Sequence, residues 1–136
     1  MANLRRLVAG GAVAAAFAIA AACGGSSSSS PAAPTGACTP SANANTIVIQ
    51  NNQVCPQTLT IARGSQLTIV NNDSRVHEMD SDPHPEHTDC VEINQVDFLN
   101  PGQSRPTGNL NIARRCGFHD HIAFEVKALQ GSITIQ

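Results

Sequence analysis

The stretch TLTIARGSQLTIV, Thr58–Val70, alternates apolar and polar residues on both sides of a short polar turn. Its apolar positions are Leu59 and Ile61 before the letters RGS, and Leu67 and Ile69 after them. This period of two is typical of half-buried β-strands, because successive side chains of a strand point to opposite faces of the sheet. The stretch therefore predicts two strands joined by a tight turn.

The same alternation recurs in three other segments. They are TIVIQ with Ile47 and Ile49, NLNIARRC with Leu110, Ile112, Arg114 and Cys116 on one face, and GSITIQ with Ile133 and Ile135. The letters NPGQS, residues 100–104, carry a turn signal, and no segment shows a long helical stripe. Several short strands with regular turns predict an all-β fold, an antiparallel Greek-key β-sandwich or barrel.

One segment in the middle of the chain, VHEMDSDPHPEHTDCVEIN, Val76–Asn94, departs from this pattern. It has no strand alternation and holds two prolines, three histidines, a methionine, a cysteine and most of the acidic residues. This composition predicts a long connection between sheet elements. Long ordered loops are often functional, so the segment is a candidate for part of a site.

The first residues of the chain have the three parts of an export signal. Arg5 and Arg6 precede the apolar run Leu7–Ala22, which is short for a transmembrane helix, and small residues precede Cys23. The Cys-Gly-Gly junction and the serine run resemble a bacterial lipoprotein signal, which implies that residues 1–22 are removed and Cys23 is lipidated. An ordinary signal peptide with a cysteine at its junction is the alternative.

Residues 23–37 are rich in Gly, Ser, Pro and Ala, and predict a flexible tether ahead of one domain, residues 38–136. Loss of Arg5 and Arg6 leaves six basic and ten acidic residues, a formal charge of −4, which argues against a nucleic-acid partner. The signal predicts a cell-envelope protein, anchored to the membrane through Cys23 on its periplasmic or extracellular face. Disulfides persist in such an oxidising compartment.

Four cysteines follow Cys23. Cys38 and Cys55 flank the first predicted strand and lie far in sequence from any histidine, so we expect them to form a disulfide. The parity of the remaining two, Cys90 and Cys116, favours a second disulfide. The other interpretation gives Cys116 to a metal and leaves Cys90 free or as a further ligand.

The histidines favour a metal site. All five lie in two clusters that each also hold a cysteine: His77, His84 and His87, then His119 and His121. Imidazole and thiolate together suit copper, zinc or iron. Ligands from two chain segments meet in a sandwich when loops gather at one end of it.

From Thr46 to Gln136 the order of these motifs resembles the cupredoxins, the small blue-copper proteins. The letters NND lead into SRVHEM, LNPGQS precedes the strand to CGFHDH, and LQGSITIQ ends the chain. The resemblance implies a cupredoxin-like sandwich that binds copper and transfers one electron to a redox partner protein, without being an enzyme.

Carried over to this chain, the resemblance implies His77 as the first copper ligand and Cys116 as the thiolate. The second histidine is His119 if the spacing is Cys-x2-His and His121 if it is Cys-x4-His, and both remain open. The family's usual downstream methionine is missing, so the axial ligand is Met79, the second downstream histidine or none. A fourth nitrogen would give a tetragonal, less blue centre.

A second hypothesis is copper handling, meaning scavenging, storage or delivery through a copper donor or acceptor protein, without redox turnover. Met79, His84, His87 and Cys90 are then additional candidate ligands, although His84 and His87 fit a solvated acidic loop equally well. Behind these stand a copper enzyme acting on a small molecule and a purely structural domain with Cys90 and Cys116 oxidised.

Overall fold

The computed structural model describes residues 36–136. The predicted signal peptide, the lipidation site Cys23 and the tether as far as residue 35 lie outside the described residues. Within the described part, no helix has the length and apolar character needed to cross a membrane.

The described chain folds into nine β-strands. They are β1 Thr46–Gln50, β2 Gln53–Cys55, β3 Thr58–Ile61, β4 Thr68–Asn71, β5 His77–Ser81, β6 Asp97–Leu99, β7 Ser104–Pro106, β8 Arg114–Asp120 and β9 Gln130–Ile135. The helical turns of residues 36–136 are all short 3₁₀ segments, at Ile93–Val96, His121–Ala123 and Lys127–Leu129.

The strands form two sheets that enclose one core. One sheet has the order β2-β1-β4-β7 and the other β3-β9-β8-β5-β6. Apolar side chains of both sheets meet between them, among them Ile47, Ile69, Phe118 and Ile133. The predicted all-β sandwich is confirmed. The predicted antiparallel pairing is wrong in two places, because β1 pairs with β4 and β3 with β9 in parallel.

The turn in the stretch Thr58–Val70 carries the chain from one sheet to the other. Strands β3 and β4 form on either side of it as predicted, but they pair with other strands. Gly64 turns the chain with a φ of +84°, a conformation that costs glycine least, and its N–H donates to the Leu110 carbonyl. The connection is therefore a crossover between sheets.

Two segments differ from their predicted structure. The predicted connection at 76–94 begins with β5, whose inward side chains His77, Met79 and Ser81 are too mixed in polarity to reveal the alternation. The predicted strand around Leu110 starts only at Arg114. Leu110 is buried, but the Ile112 side chain, expected on the same face, is 57% exposed.

Both pairs of cysteines in the described part form disulfides. Cys38 and Cys55, the predicted pair, have Cα atoms 6.0 Å apart. Cys90 and Cys116 have Cα atoms 5.8 Å apart, and their bond joins β8 to the segment that follows β5. We call residues 82–92 of that segment the histidine loop, because it holds His84 and His87.

Candidate metal site

The phase of β8 divides the CGFHD segment between the two faces of its sheet. Cys116, Phe118 and Asp120 are buried and point towards the core, while Gly117 and His119 point to the outer face. Because β8 continues to Asp120, a cysteine and a histidine three residues apart are on opposite faces. Cys116 and His119 are therefore not directed towards one ion.

Strand β5 repeats this division beside β8. In the register, Asp80 is opposite His119 and Met79 is opposite Asp120. Residues directly opposite in an antiparallel pair share a face. Asp80 therefore lies with His119 on the outer face, and Met79 lies in the core.

The histidine loop folds back over this outer face. The Asp82 N–H donates to the Gly117 carbonyl at 3.1 Å, and the Asp89 N–H donates to the Asp82 carbonyl at 2.7 Å. At its far end the loop is fastened by the disulfide of Cys90, and Arg114 Nη2 on β8 lies 2.9 Å from a Glu92 carboxylate oxygen. The loop is thus attached to β8 at both ends.

Four imidazoles meet between the histidine loop and β8. The loop supplies His84 and His87, β8 supplies His119, and the 3₁₀ turn that follows supplies His121. One ring nitrogen from each lies within 4.8 Å of all the others. His87 Nε2 and His121 Nδ1 are 3.2 Å apart.

The 3.2 Å separation between His87 Nε2 and His121 Nδ1 fits two ligands of one metal ion. Two nitrogens each bound to an ion at about 2.0–2.1 Å would lie roughly 2.8–3.4 Å apart in square or tetrahedral geometry. The donors are also available: His84 Nδ1 and His119 Nε2 are buried and have no hydrogen-bond partner among the described residues. Buried polar groups normally have a partner, and a bound ion would supply one to both of these nitrogens. An all-imidazole set suits copper, zinc, iron or nickel.

Two carboxylates lie behind the imidazoles. Asp82 Oδ1 is 2.6 Å from His119 Nδ1. Asp80 Oδ2 is 3.5 Å from both His87 Nδ1 and His121 Nδ1. A carboxylate on one ring nitrogen, as Asp82 is on Nδ1 of His119, fixes the orientation and tautomer of a histidine that binds an ion through its other nitrogen. At His121, Asp80 is instead near Nδ1, the nitrogen that faces His87.

The electrostatics of the cluster favour neutral, ligating imidazole at His84. Burial lowers the pKa of His84, and the nearby imidazoles of His121, His119 and His87 lower it further. On the same outer face, burial raises the pKa of Glu78, an effect that His121 partly offsets.

One side of the cluster is open to solvent. The His84 ring stacks on Phe124, with ring centroids 4.1 Å apart and planes 4° from parallel. A pocket of about 500 Å³ lies beside them, lined in part by His84, His119 and Phe124. The side chain of His121 is 38% exposed. An ion could therefore enter and leave without unfolding of the sandwich.

The structure groups the sequence-predicted ligands differently from the expectation. His119 and His121 are together, but with His84 and His87, which the sequence offered only as additional candidates. His77 lies on the core side, with Nδ1 2.6 Å from Asp120 and Nε2 3.1 Å from Asp73, so both its ring nitrogens are occupied.

The sulfur candidates are also on the core side. Cys116 and Cys90 are joined to each other, so neither offers a thiolate, as the disulfide interpretation held. Met79 is fully buried in the core. Sequence reasoning missed Asp80 and Asp82. Their two-residue spacing, continuous with the outer face of β5, was the signal that could have found them.

Comparison with solved structures identifies the fold. A purple cupredoxin from Nitrosopumilus maritimus is similar, with 16% identity, 67% of this chain and 98% of that chain covered and a TM-score of 0.50. Amicyanin from Paracoccus versutus has 13% identity, coverage of 71% and 84% and a TM-score of 0.53. Plastocyanin from Dryopteris crassirhizoma has 13% identity, coverage of 67% and 99% and a TM-score of 0.51. No protein-family model and no curated protein sequence matches the chain. The chain has the cupredoxin fold.

Proposed function

We propose that this protein binds copper through an all-histidine site and handles copper at the cell envelope. The observation that carries the proposal is the cluster of His84, His87, His119 and His121, in which two buried ring nitrogens have no partner among the described residues. Of the divalent first-row metals, copper binds nitrogen sites most tightly. Among the similar structures, two are of amicyanin mutants with Cu(I).

Copper handling is favoured over electron transfer because neither a cysteine nor a methionine of residues 36–136 is available as a sulfur ligand. All four cysteines in residues 36–136 are in disulfides, and the one methionine there is in the core. Four nitrogen donors suit Cu(II) in a tetragonal, non-blue centre. Donors on a loop beside an open pocket suit exchange with a copper donor or acceptor protein, and the predicted lipid anchor at Cys23 would hold that exchange at the membrane surface.

The test is a Cu(II) titration of the mature domain, followed by electron paramagnetic resonance. We expect one Cu(II) per chain, nitrogen hyperfine structure and no intense thiolate-to-copper charge-transfer band. The double variant His84→Gln with His87→Gln removes half of the donors and should lower the Cu(II) affinity at least tenfold. His77→Gln is the matched control, because it removes a histidine outside the cluster. Equal affinity in the wild type and the double variant would refute the proposal.

A second candidate function is electron transfer to a redox partner through a Cys116 thiolate, with His119 or His121. The observation that favours it is the cupredoxin fold itself. It requires that the Cys90–Cys116 disulfide first be reduced. The check is the visible spectrum after reduction and copper loading, together with a count of free thiols. An intense charge-transfer band that is lost in Cys116→Ser would favour this candidate.

A further inference from the structure

The carboxylate of Asp82 lies directly over Gly117. A Cβ atom at position 117 would overlap Asp82 Oδ2, and it would also press on the remainder of that side chain. Only the glycine of the CGFH segment therefore lets Asp82 approach β8 so closely. The hydrogen bond from the Asp82 N–H to the Gly117 carbonyl also holds the main chain of Asp82 against β8.

This approach decides which nitrogen of His119 is free. With Asp82 Oδ1 2.6 Å from Nδ1, the ring donates its Nδ1–H to the carboxylate. The lone pair is then on Nε2, which is buried and has no partner among the described residues. Asp82 thus prepares His119 to bind an ion through Nε2.

Asp80 adds a second negative charge on the same face. Its Oδ2 lies 3.5 Å from ring nitrogens of both His87 and His121. Imidazoles that bind an ion are neutral, so its charge is offset by nearby carboxylates, of which Asp80 and Asp82 lie closest to the ring nitrogens. The attraction between a carboxylate and an ion is proportional to the ion's charge, so these residues stabilise a divalent ion more than a monovalent one.

We infer that Asp82 is the positioning residue of the metal site, and that Asp80 and Asp82 together make the site specific for Cu(II) over Cu(I). This inference rests on the proposed function, since it concerns the ion that the same four histidines hold. It assigns Gly117 a role as well, which is to leave space for the Asp82 carboxylate.

The experiment compares two substitutions of Asp82 in the mature domain. Asp82→Asn keeps an oxygen that accepts from His119 but removes the charge, and Asp82→Ala removes both. Affinities for Cu(II) and Cu(I) are measured by competition with chelators of known affinity, and the reduction potential by voltammetry. Thermal unfolding of the metal-free variants shows that they fold.

We expect Asp82→Asn to lower the Cu(II) affinity by about 10-fold to 100-fold, the usual effect of losing such a partner, and to lower the Cu(I) affinity less. Each tenfold difference between the two losses raises the reduction potential by about 59 mV. Asp82→Ala should in addition change the electron paramagnetic resonance spectrum, because the His119 ring is no longer oriented. Gly117→Ala should act in the same direction by displacing the carboxylate.

Asp89→Asn is the matched control. It removes the same charge from the same loop, but the Asp89 carboxylate accepts from the Gly117 N–H and forms no ion pair or hydrogen bond with an imidazole among residues 36–136. We expect it to leave both affinities within about twofold. If Asp82→Asn behaves like Asp89→Asn, or if Cu(I) and Cu(II) affinities fall equally, the inference is overturned.

The variant His119→Ala distinguishes failure of the inference about Asp80 and Asp82 from failure of the proposed function. Wild-type protein that binds Cu(II) no better than His119→Ala would mean that the four histidines hold no copper, and the proposed function would fail. Wild-type protein that binds Cu(II) tightly, with His119→Ala impaired and Asp82→Asn unchanged, would overturn only the role of the carboxylates.

Discussion

Removing the disulfide between Cys90 and Cys116 should lower the Cu(II) affinity, whereas removing the Cys38–Cys55 disulfide should cost similar folding stability without lowering that affinity. The Cys90–Cys116 bond connects the histidine loop, with His84 and His87, to the strand that leads to His119. The double variant Cys90→Ser with Cys116→Ser leaves every proposed ligand in place. It allows the loop to move away from β8, so metal binding must then order the loop.

The size of the effect follows from the length of chain that each disulfide closes. The sequence separation is 26 residues for Cys90–Cys116 and 17 for Cys38–Cys55. With the chain-entropy relation, these loops correspond to about 3.5 and about 3.1 kcal/mol of folding stability at 25 °C. If the whole of the roughly 3.5 kcal/mol lost with Cys90–Cys116 went into separating the histidine loop from β8, the Cu(II) affinity would fall by about 300-fold. The retained ion pair between Arg114 and Glu92 makes that figure an upper bound.

The assay pairs Cu(II) competition titration with urea unfolding of the metal-free protein. Cys38→Ser with Cys55→Ser is the control, because it should cost almost the same stability while leaving the histidine loop fastened. We expect a clear loss of Cu(II) affinity only in the Cys90/Cys116 variant. Equal losses in both variants, or no loss in either, would refute the reasoning that this disulfide holds the two halves of the site together.

Three further predictions concern single groups. His77→Ala should lower the free energy of unfolding by roughly 3 kcal/mol, because the buried Asp120 carboxylate loses its imidazole partner and keeps only the backbone N–H donors of Glu78 and Ile122. The copper stoichiometry should stay unchanged, and loss of the bound copper would instead make His77 a ligand. Phe124→Ala should weaken Cu(II) binding by about 1 kcal/mol, since the ring that stacks on His84 is lost, and titration of a Phe98→Ala control should show no change. Cu(II) affinity should fall as the pH is lowered from 7 to 5, because protons compete with the ion for the imidazole nitrogens, and a flat profile over that range by competition titration would contradict the all-histidine site.

Local pattern in the sequence was sufficient for most strands and insufficient for their pairing. The alternating positions of β1, β3, β4 and β9 predicted strands because apolar residues mark the buried face. Strand β5 was missed because two of its inward side chains are polar: Ser81, and His77, which is buried beside the carboxylate of Asp120, a residue distant in sequence. The parallel pairs also depend on distant contacts, since no residue within a strand indicates which neighbour it will have.

The clustering of histidines in two segments predicted a metal site, and both segments contribute to the cluster of four imidazoles. The choice of ligands could not follow from spacing alone. A cysteine and a histidine three residues apart share one site if a loop follows the cysteine, but point to opposite faces if the strand continues. Strand β8 continues to Asp120, and this separates Cys116 from His119.

The sequence by itself therefore determined the class of fold, the Cys38–Cys55 disulfide and the presence of metal-binding side chains in two segments, because these follow from periodicity, composition and proximity along the chain. The tertiary structure decided which histidines meet, which carboxylates lie behind them, and that Cys116 pairs with Cys90. These depend on the phase of β5 and β8 and on where the histidine loop folds back. Both are set by packing between residues far apart in the sequence.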